Sequence, residues 1–268
     1  MLLLYEFGNS VCCQKVQQVL CEKGLAWESR QVDLFLHQQY DPEYLKLNPK
    51  GVVPTLVHDG RPVIESTLIC EYLDEAFPEP RLTPGNAHDR VRMRLWSKAV
   101  DEELHEGVTE ISFSAMFRER LKSASESERQ ARFRNIGDTR RRDRFVSTYE
   151  LGVESPFVLW AIAAYERAFK SMDGALAKGG EWLVGGAFSL ADINLTPYLA
   201  RLEYLTLLDV WIGHRPHVQA WWERAKARAA FKAAIADRLT QKQRDDMQAF
   251  GGRIRNRVRE LHAGLPVR

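Results

Sequence analysis

Three short stretches near the start of the sequence carry side chains suited to thiol chemistry and to holding an anion. In Ser10-Val11-Cys12-Cys13-Gln14-Lys15, a hydroxyl and two thiols follow the apolar run from Leu2 to Phe7, which reads as a strand. At a helix start such groups meet unsatisfied backbone N–H donors and about half a positive charge, which favours thiolate over thiol. The same residues also have plainer readings, Ser10 as an N-cap and the cysteines as small apolar filler. In Val52-Val53-Pro54-Thr55, a proline stands where the run read as a strand over 54–57 begins. Glu65-Ser66 stands at another helix start, where a hydroxyl and N–H groups hold a carboxylate. Convergence of the three would suit one extended anionic ligand.

The elements that must position these residues follow from periodicity. Cys12, Val16, Val19 and Leu20 recur at helical spacing up to Gly24, which ends the helix. Residues 27–34 read as a second strand and 41–47 as a short helix stopped by Asn48-Pro49. Residues 54–57 and 62–64 flank Asp59-Gly60, a hairpin signal. Ser66 is the predicted N-cap of a helix running to about Phe77, and Pro78, Pro80 and Pro84 mark a linker. The order is βαβαββα. Beyond it strand signals nearly vanish: Met93, Trp96, Val100 and Leu104 repeat at helical spacing, as do Val158, Ile162, Tyr165 and Phe169, and residues 211–231 carry the same pattern. Ser189-Leu190-Ala191-Asp192 fits a capping box that would start a buried helix, with Phe188 before the cap. Tyr5 and Trp27 are assigned to the core.

The 268 residues suffice for one large domain or two ordinary ones, and 45% hydrophobic with 28% charged residues excludes a disordered chain, a collagen-like repeat and a disulfide scaffold. A net charge of +2 demands neither a nucleic acid nor an anionic membrane as partner. Locally the balance differs: residues 118–144 hold ten Lys/Arg and five Asp/Glu. That segment is either a solvated helix-loop-helix insertion or a patch for anionic substrates or partners. The opening residues lack a basic leader and a small-residue cleavage site, and no apolar run approaches the ~20 residues needed to span a bilayer, so a cytoplasmic protein is expected. Cys12, Cys13, Cys21 and Cys70 suit reduced thiols and lack the spacing of a structural metal site, so no metal is expected.

The run Asn48-Pro49-Lys50-Gly51-Val52-Val53-Pro54-Thr55-Leu56, followed by Val63-Ile64-Glu65-Ser66-Thr67-Leu68-Ile69-Cys70-Glu71-Tyr72-Leu73, resembles the glutathione S-transferase family, and the likeness covers most of the chain. Ser10 and Cys12, with Ala191-Asp192-Ile193 and Leu199-Ala200-Arg201, are similar to tetrachlorohydroquinone reductive dehalogenase type members. Residues 65–73 and Met93-Arg94-Leu95-Trp96 are similar to β-aryl etherase type members, which also act in aromatic degradation. The resemblance implies an α+β two-domain fold: a thioredoxin-like βαβαββα glutathione-binding domain over residues 1–79 with a cis proline at Pro54, a linker over 80–87, and an all-helical electrophile-binding domain over 88–268. It further implies that Ser10 donates a hydrogen bond to the glutathione sulfur, that Val53 pairs through its backbone with the cysteinyl part, that Glu65 and Ser66 hold the γ-glutamyl end, and that Gln39 and Lys50 meet the glycyl carboxylate. Cys12 or Cys13 takes over where the chemistry passes through a mixed disulfide. A homodimer is the family's usual state.

Phe113, Met116, Phe117, Trp160 and Tyr204 are candidates for the electrophile wall, each equally readable as core. Three functions stand side by side. The first is a glutathione transferase acting on an aromatic or other apolar electrophile, in detoxification or aromatic degradation. The second is a glutathione-dependent reductive dehalogenase, thiol reductase or β-aryl ether-cleaving enzyme. The third is a non-catalytic binding module based on the 118–144 segment and the basic tail carrying Arg253, Arg255, Arg257 and Arg259.

Overall fold

The computed structural model describes residues 1–266, so the last two positions of the expected helical domain lie outside the described residues. Four strands, β1 Leu2–Glu6, β2 Glu28–Gln31, β3 Thr55–His58 and β4 Arg61–Ile64, form one sheet in the order β2-β1-β3-β4. β1 runs parallel to β2 and antiparallel to β3, and β3 antiparallel to β4, with Leu4 opposite Leu56. Helix α1 (Val11–Glu22) makes the crossover from β1 to β2, α2 (Pro42–Leu47) precedes β3, and α3 (Ser66–Ala76) follows β4. The order is βαβαββα, as the periodicity predicts. Asp59 and Gly60 have φ of 48° and 80°, the paired positive values that a tight two-residue hairpin requires. Two expectations need correction. The second strand is shorter than 27–34, because its four residues are all exposed and only Val32 beyond them reaches the core. The N-cap of α3 is Glu65 at φ 68°, and Ser66 is the first helical residue.

The remaining helices are α4 (Ala87–Ala99), α5 (His105–Ser112), α6 (Arg118–Lys122), α7 (Glu126–Arg134), α8 (Thr139–Leu151), α9 (Pro156–Leu176), α10 (Leu190–Tyr204), α11 (Asp209–Ile212), α12 (Pro216–Lys226), α13 (Ala229–Ala234) and α14 (Gln241–Ala263). Two π-helical turns, Val100–Leu104 and Phe113–Phe117, join α4 to α5 and α5 to α6. Among the described residues no helix is long and apolar enough to cross a membrane.

Contacts group the chain into two units. The first holds Met1–Lys98, Lys178–Pro197 and Ala220–Thr240; the second holds Ala99–Ala177, Tyr198–Gln219 and the chain from Gln241 onward. This grouping by contact cuts across the sequence boundary near residue 79. In the first unit, Leu4 and Leu56 of the sheet, Val16, Val19 and Leu20 of α1, and Ile69 and Leu73 of α3 are fully buried. The predicted capping box forms in part: Asp192 Oδ2 accepts from Ser189 N at 3.0 Å, while Ser189 Oγ accepts from Ala191 N at 3.3 Å, one residue short of Asp192 N, which goes to the Ser189 carbonyl. Asp192 Oδ1 also accepts from Leu183 N at 3.0 Å and from Trp221 Nε1 at 2.8 Å. Burial pushes this carboxyl up, and the hydrogen bonds from Leu183 N, Trp221 Nε1, Ser189 N and Ser189 Oγ (3.1 Å) work against that shift.

In the second unit the predicted stripe of Val158, Ile162, Tyr165 and Phe169 is buried along α9, with Trp211 against it and its Nε1 donating to Ile162 O at 3.2 Å. The 118–144 segment becomes α6, α7 and the first part of α8, with no buried residue in α7. Arg118 donates to the Tyr149 and Glu150 carbonyls at the end of α8, and Arg144 pairs with Glu106 at 2.9 Å. The basic tail is held internally: Arg255 and Arg259 pair with Asp209, and Arg257 pairs with Glu154 and Glu260.

Candidate active site

Ser10 is the N-cap of α1, with extended φ and ψ of -92° and 120°, and its Oγ accepts from Cys13 N at 3.4 Å. Its hydroxyl therefore stands among the free N–H groups of the first turn, where the helix end is positive. Cys12 is half-buried. Cys13 is completely buried, packed with Val32, Tyr44 and Val53, and accepts from Phe7 N at 3.4 Å. Burial pushes its thiol far up, and the hydrogen bonds from Ser10 and Phe7 recover only part of that. The structure thus places Cys13 in the core, as filler, where a thiolate is disfavoured and a substrate has no access.

Cys13 and Val53 share one buried cluster with Val32 and Tyr44, which brings the second stretch to the first. The Val53-Pro54 peptide bond is cis. Behind it, the Val52 carbonyl accepts from Tyr44 Oη at 2.6 Å and from Asn48 Nδ2 at 2.9 Å, and both side chains also reach Thr55 Oγ1, at 3.0 Å and 3.1 Å. Burial pushes the Tyr44 phenol up to about 12, so its proton stays available for the carbonyl. Gly51 is needed in this loop: its φ is +59°, and a Cβ there would stand 2.8 Å from the Tyr40 ring.

The third stretch joins through α3. Lys15 Nζ donates to Thr67 Oγ1 at 2.7 Å inside the core, and Lys50 Nζ meets Glu65 Oε1 at 2.7 Å at the surface. Glu65, a non-glycine residue at φ 68° and ψ 109°, sits in a backbone region that costs roughly 1–3 kcal/mol and is typically retained at ligand sites. Gln39 is buried and its Oε1 has no hydrogen-bond partner. Ser10, Val53, Pro54, Lys50, Glu65 and Ser66 thus belong to three segments linked by direct contacts within the first unit.

The comparisons with known proteins agree with this arrangement. Residues 4–81 match the glutathione S-transferase N-terminal domain, and residues 117–224 match its C-terminal domain. The chain belongs to the glutathione S-transferase family of enzymes. Protein LigF of Sphingobium sp. (strain NBRC 103272 / SYK-6) is 46% identical over 103 residues, 38% of this chain and 40% of that protein. The tetrachloro-p-hydroquinone reductive dehalogenase of Sphingobium chlorophenolicum is 28% identical over 239 residues, covering 86% and 94% of the two chains. The crystal structure of the β-etherase LigF superposes with a TM-score of 0.77 at 29% identity, covering 87% of this transferase and 98% of that chain. Glutathione transferase F7 from Populus trichocarpa gives 0.70 at 25% identity, covering 90% and 100%.

The electrophile candidates all lie in the second unit. Phe113 is buried, its ring 5.0 Å from that of Phe145, whereas Met116, Phe117, Trp160 and Tyr204 are half-buried. Phe113, Met116 and Phe117 form the second π-helical turn, an irregularity of the kind that marks functional sites. Tyr5 and Trp27 are partly rather than fully buried. Among the described residues no group of three or more His, Cys, Asp or Glu is placed to hold a metal. Sequence reasoning missed Tyr44 and Asn48, which brace the Val53 turn, and Lys15. A usable signal existed for Lys15: a charged residue four positions from both Val11 and Val19, on the apolar stripe of α1.

Proposed function

We propose that this protein is a glutathione transferase that holds the glutathione sulfur as a thiolate at the start of α1 and directs it at an aromatic or other apolar electrophile. The supporting observation is the convergence of the Ser10 cap, the cis Val53-Pro54 turn and the strained Glu65 in one unit. In this reading Ser10 donates to the sulfur, Val53 pairs through its backbone with the cysteinyl part, and Glu65 and Ser66 hold the γ-glutamyl end. Gln39 and Lys50 meet the glycyl carboxylate. Lys50 and Glu65 are 62% and 45% exposed, and an ion pair that open is worth only ~0–1 kcal/mol, so the ligand's own charges compete for each partner.

A thiol of pKa ~8.5 must be lowered by about 2 units to be mostly ionised at neutral pH, which needs ~2.7 kcal/mol. A charge-assisted hydrogen bond of roughly 1.5–3 kcal/mol, together with the helix end, supplies it. Absorbance titration of the bound thiolate tests this: Ser10→Ala should move ionisation to higher pH and lower kcat/KM about tenfold or more. An unchanged titration would refute the role of Ser10.

Half-exposed Cys12 on the same turn supports a second reading, glutathione-dependent reduction or β-aryl ether cleavage. In the reductive branch a glutathione conjugate loses its sulfur to the Cys12 thiolate, the released carbanion takes a proton, and a second glutathione frees Cys12 as oxidised glutathione forms. Cys12→Ser should abolish that product and spare conjugation. We place the glutathione-binding domain at 1–79, the linker at 80–87 and the electrophile-binding domain at 88–268, in a cytoplasmic homodimer. Leu68 of α3 and Val91 and Leu95 of α4 are exposed, and Arg94 of α4 pairs with Glu71 of α3 at 2.9 Å, which supports these two helices as the apolar contact for the second copy.

A further inference from the structure

Lys15 is fully buried, and its ammonium donates to Thr67 Oγ1 at 2.7 Å. Thr67, also buried, is the second residue of α3 and directly follows Glu65 and Ser66. Lys15 lies five positions beyond the Ser10 cap, roughly 7.5 Å along the helix axis. This hydrogen bond therefore ties the second turn of α1 to the first turn of α3, and each helix presents its positive end to the candidate site. Burying an ammonium carries a large solvation penalty, and an apolar side chain of similar volume would fill the space without it. Packing between α1 and α3 is already supplied by Val16, Val19, Leu20, Ile69 and Leu73. The charge and its hydrogen bond thus have a task that packing does not explain.

We propose that Lys15 is a positioning residue for glutathione. Through Thr67 it fixes the first turn of α3, so that Glu65 and Ser66 meet the γ-glutamyl end in one orientation, and it adds positive charge beneath that end. The inference rests on the glutathione reading above and extends it to a residue that touches no part of the ligand. Its effect belongs to binding: the first turn of α1, where the sulfur lies, keeps its own cap at Ser10.

The experiment is calorimetric titration of the full-length protein with glutathione and with γ-glutamylcysteine, accompanied by thermal melts. Lys15→Met should weaken both ligands about tenfold or more, the loss of one charge-assisted hydrogen bond. Thr67→Val should do the same, and the double variant should be no weaker than the worse single one, because both act through one contact. Lys15→Arg should recover most of the affinity, and ionisation of the bound thiol should stay at the wild-type pH in every variant. Wild-type affinity in a well-folded Lys15→Met protein would overturn the proposal and leave the glutathione reading intact. Weak binding confined to Lys15→Met, with a lowered melting temperature and normal binding in Thr67→Val, would make the residue merely structural and also overturn it. No binding by the wild type would remove both readings together.

Discussion

At the scale of the residue, the question is which of three neighbouring nucleophiles faces a ligand. Successive residues on a helix point about 100° apart, so one sulfur faces the core when its neighbour does not. Cys13 packs against Val53 and Tyr44 with its thiol pushed up by burial, while Cys12 is half-exposed on the same turn. Iodoacetamide should therefore alkylate Cys12 in the native protein, more slowly with glutathione present, and reach Cys13 and Cys70 only after unfolding. Comparable native labelling of Cys13, read by peptide mass spectrometry, would contradict the geometry. The sequence offers Ser10, Cys12 and Cys13 together but not their directions, since the choice depends on where the sheet and the Val53 turn lie.

At the scale of the element, local signals and distant partners separate cleanly. The pairing of Ser189 with Asp192 is legible because it spans four consecutive residues, as is the hairpin at Asp59-Gly60. The other half of the Asp192 site, Leu183 N and Trp221 Nε1, comes from other segments of the first unit. Asp192→Ala should cost about 3 kcal/mol or more, because it strips several buried donors of their acceptor at once. Urea denaturation would show it, and a loss below about 1 kcal/mol would mean that water replaces the carboxylate. Helix α1 makes the same point: Gln14, Gln17 and Gln18 have polar side chains that suit a solvated face, yet all three are buried, as is Lys15. The sheet, α3 and α13 surround the helix, and the polar side chains find partners such as Thr67 and Thr196.

At the scale of the whole molecule, each unit has its own acid and association behaviour. In the second unit, Glu166 accepts from Arg215 and from His262 of α14. Burial, the largest single influence, would raise this carboxyl; the hydrogen bonds and positive charges of Arg215 and His262 together outweigh it and hold the group below the ordinary glutamate range. A carboxyl depressed by folding contributes stability above its unfolded pKa and loses it as pH falls through the lower folded value. Glu166→Gln should therefore be less stable than wild type at pH 7, and the gap should narrow below about pH 4.5; thermal melts that show a constant gap would exclude the linkage. In the first unit, Leu95→Arg places a charge among the exposed apolar side chains of α3 and α4, so the dimer proposed above should sediment as a monomer. A sedimentation profile identical to that of the wild type would mean that this face is not the interface.

By itself the sequence determined the order of strands and helices in the first eighty residues, the tight turn, the Ser10 cap and the three motifs of the site, because each depends on residues a few positions apart. It also determined the family, through runs that end by Leu73. The tertiary structure alone decided that Cys13 is core, that Tyr44 and Asn48 brace the Val53 turn, that Lys15 reaches Thr67, and that the basic tail is held in ion pairs. Burial and partnership are properties of segments far apart in the chain. Only their packing sets the local dielectric and the hydrogen bonds that make one thiol inert and one lysine useful.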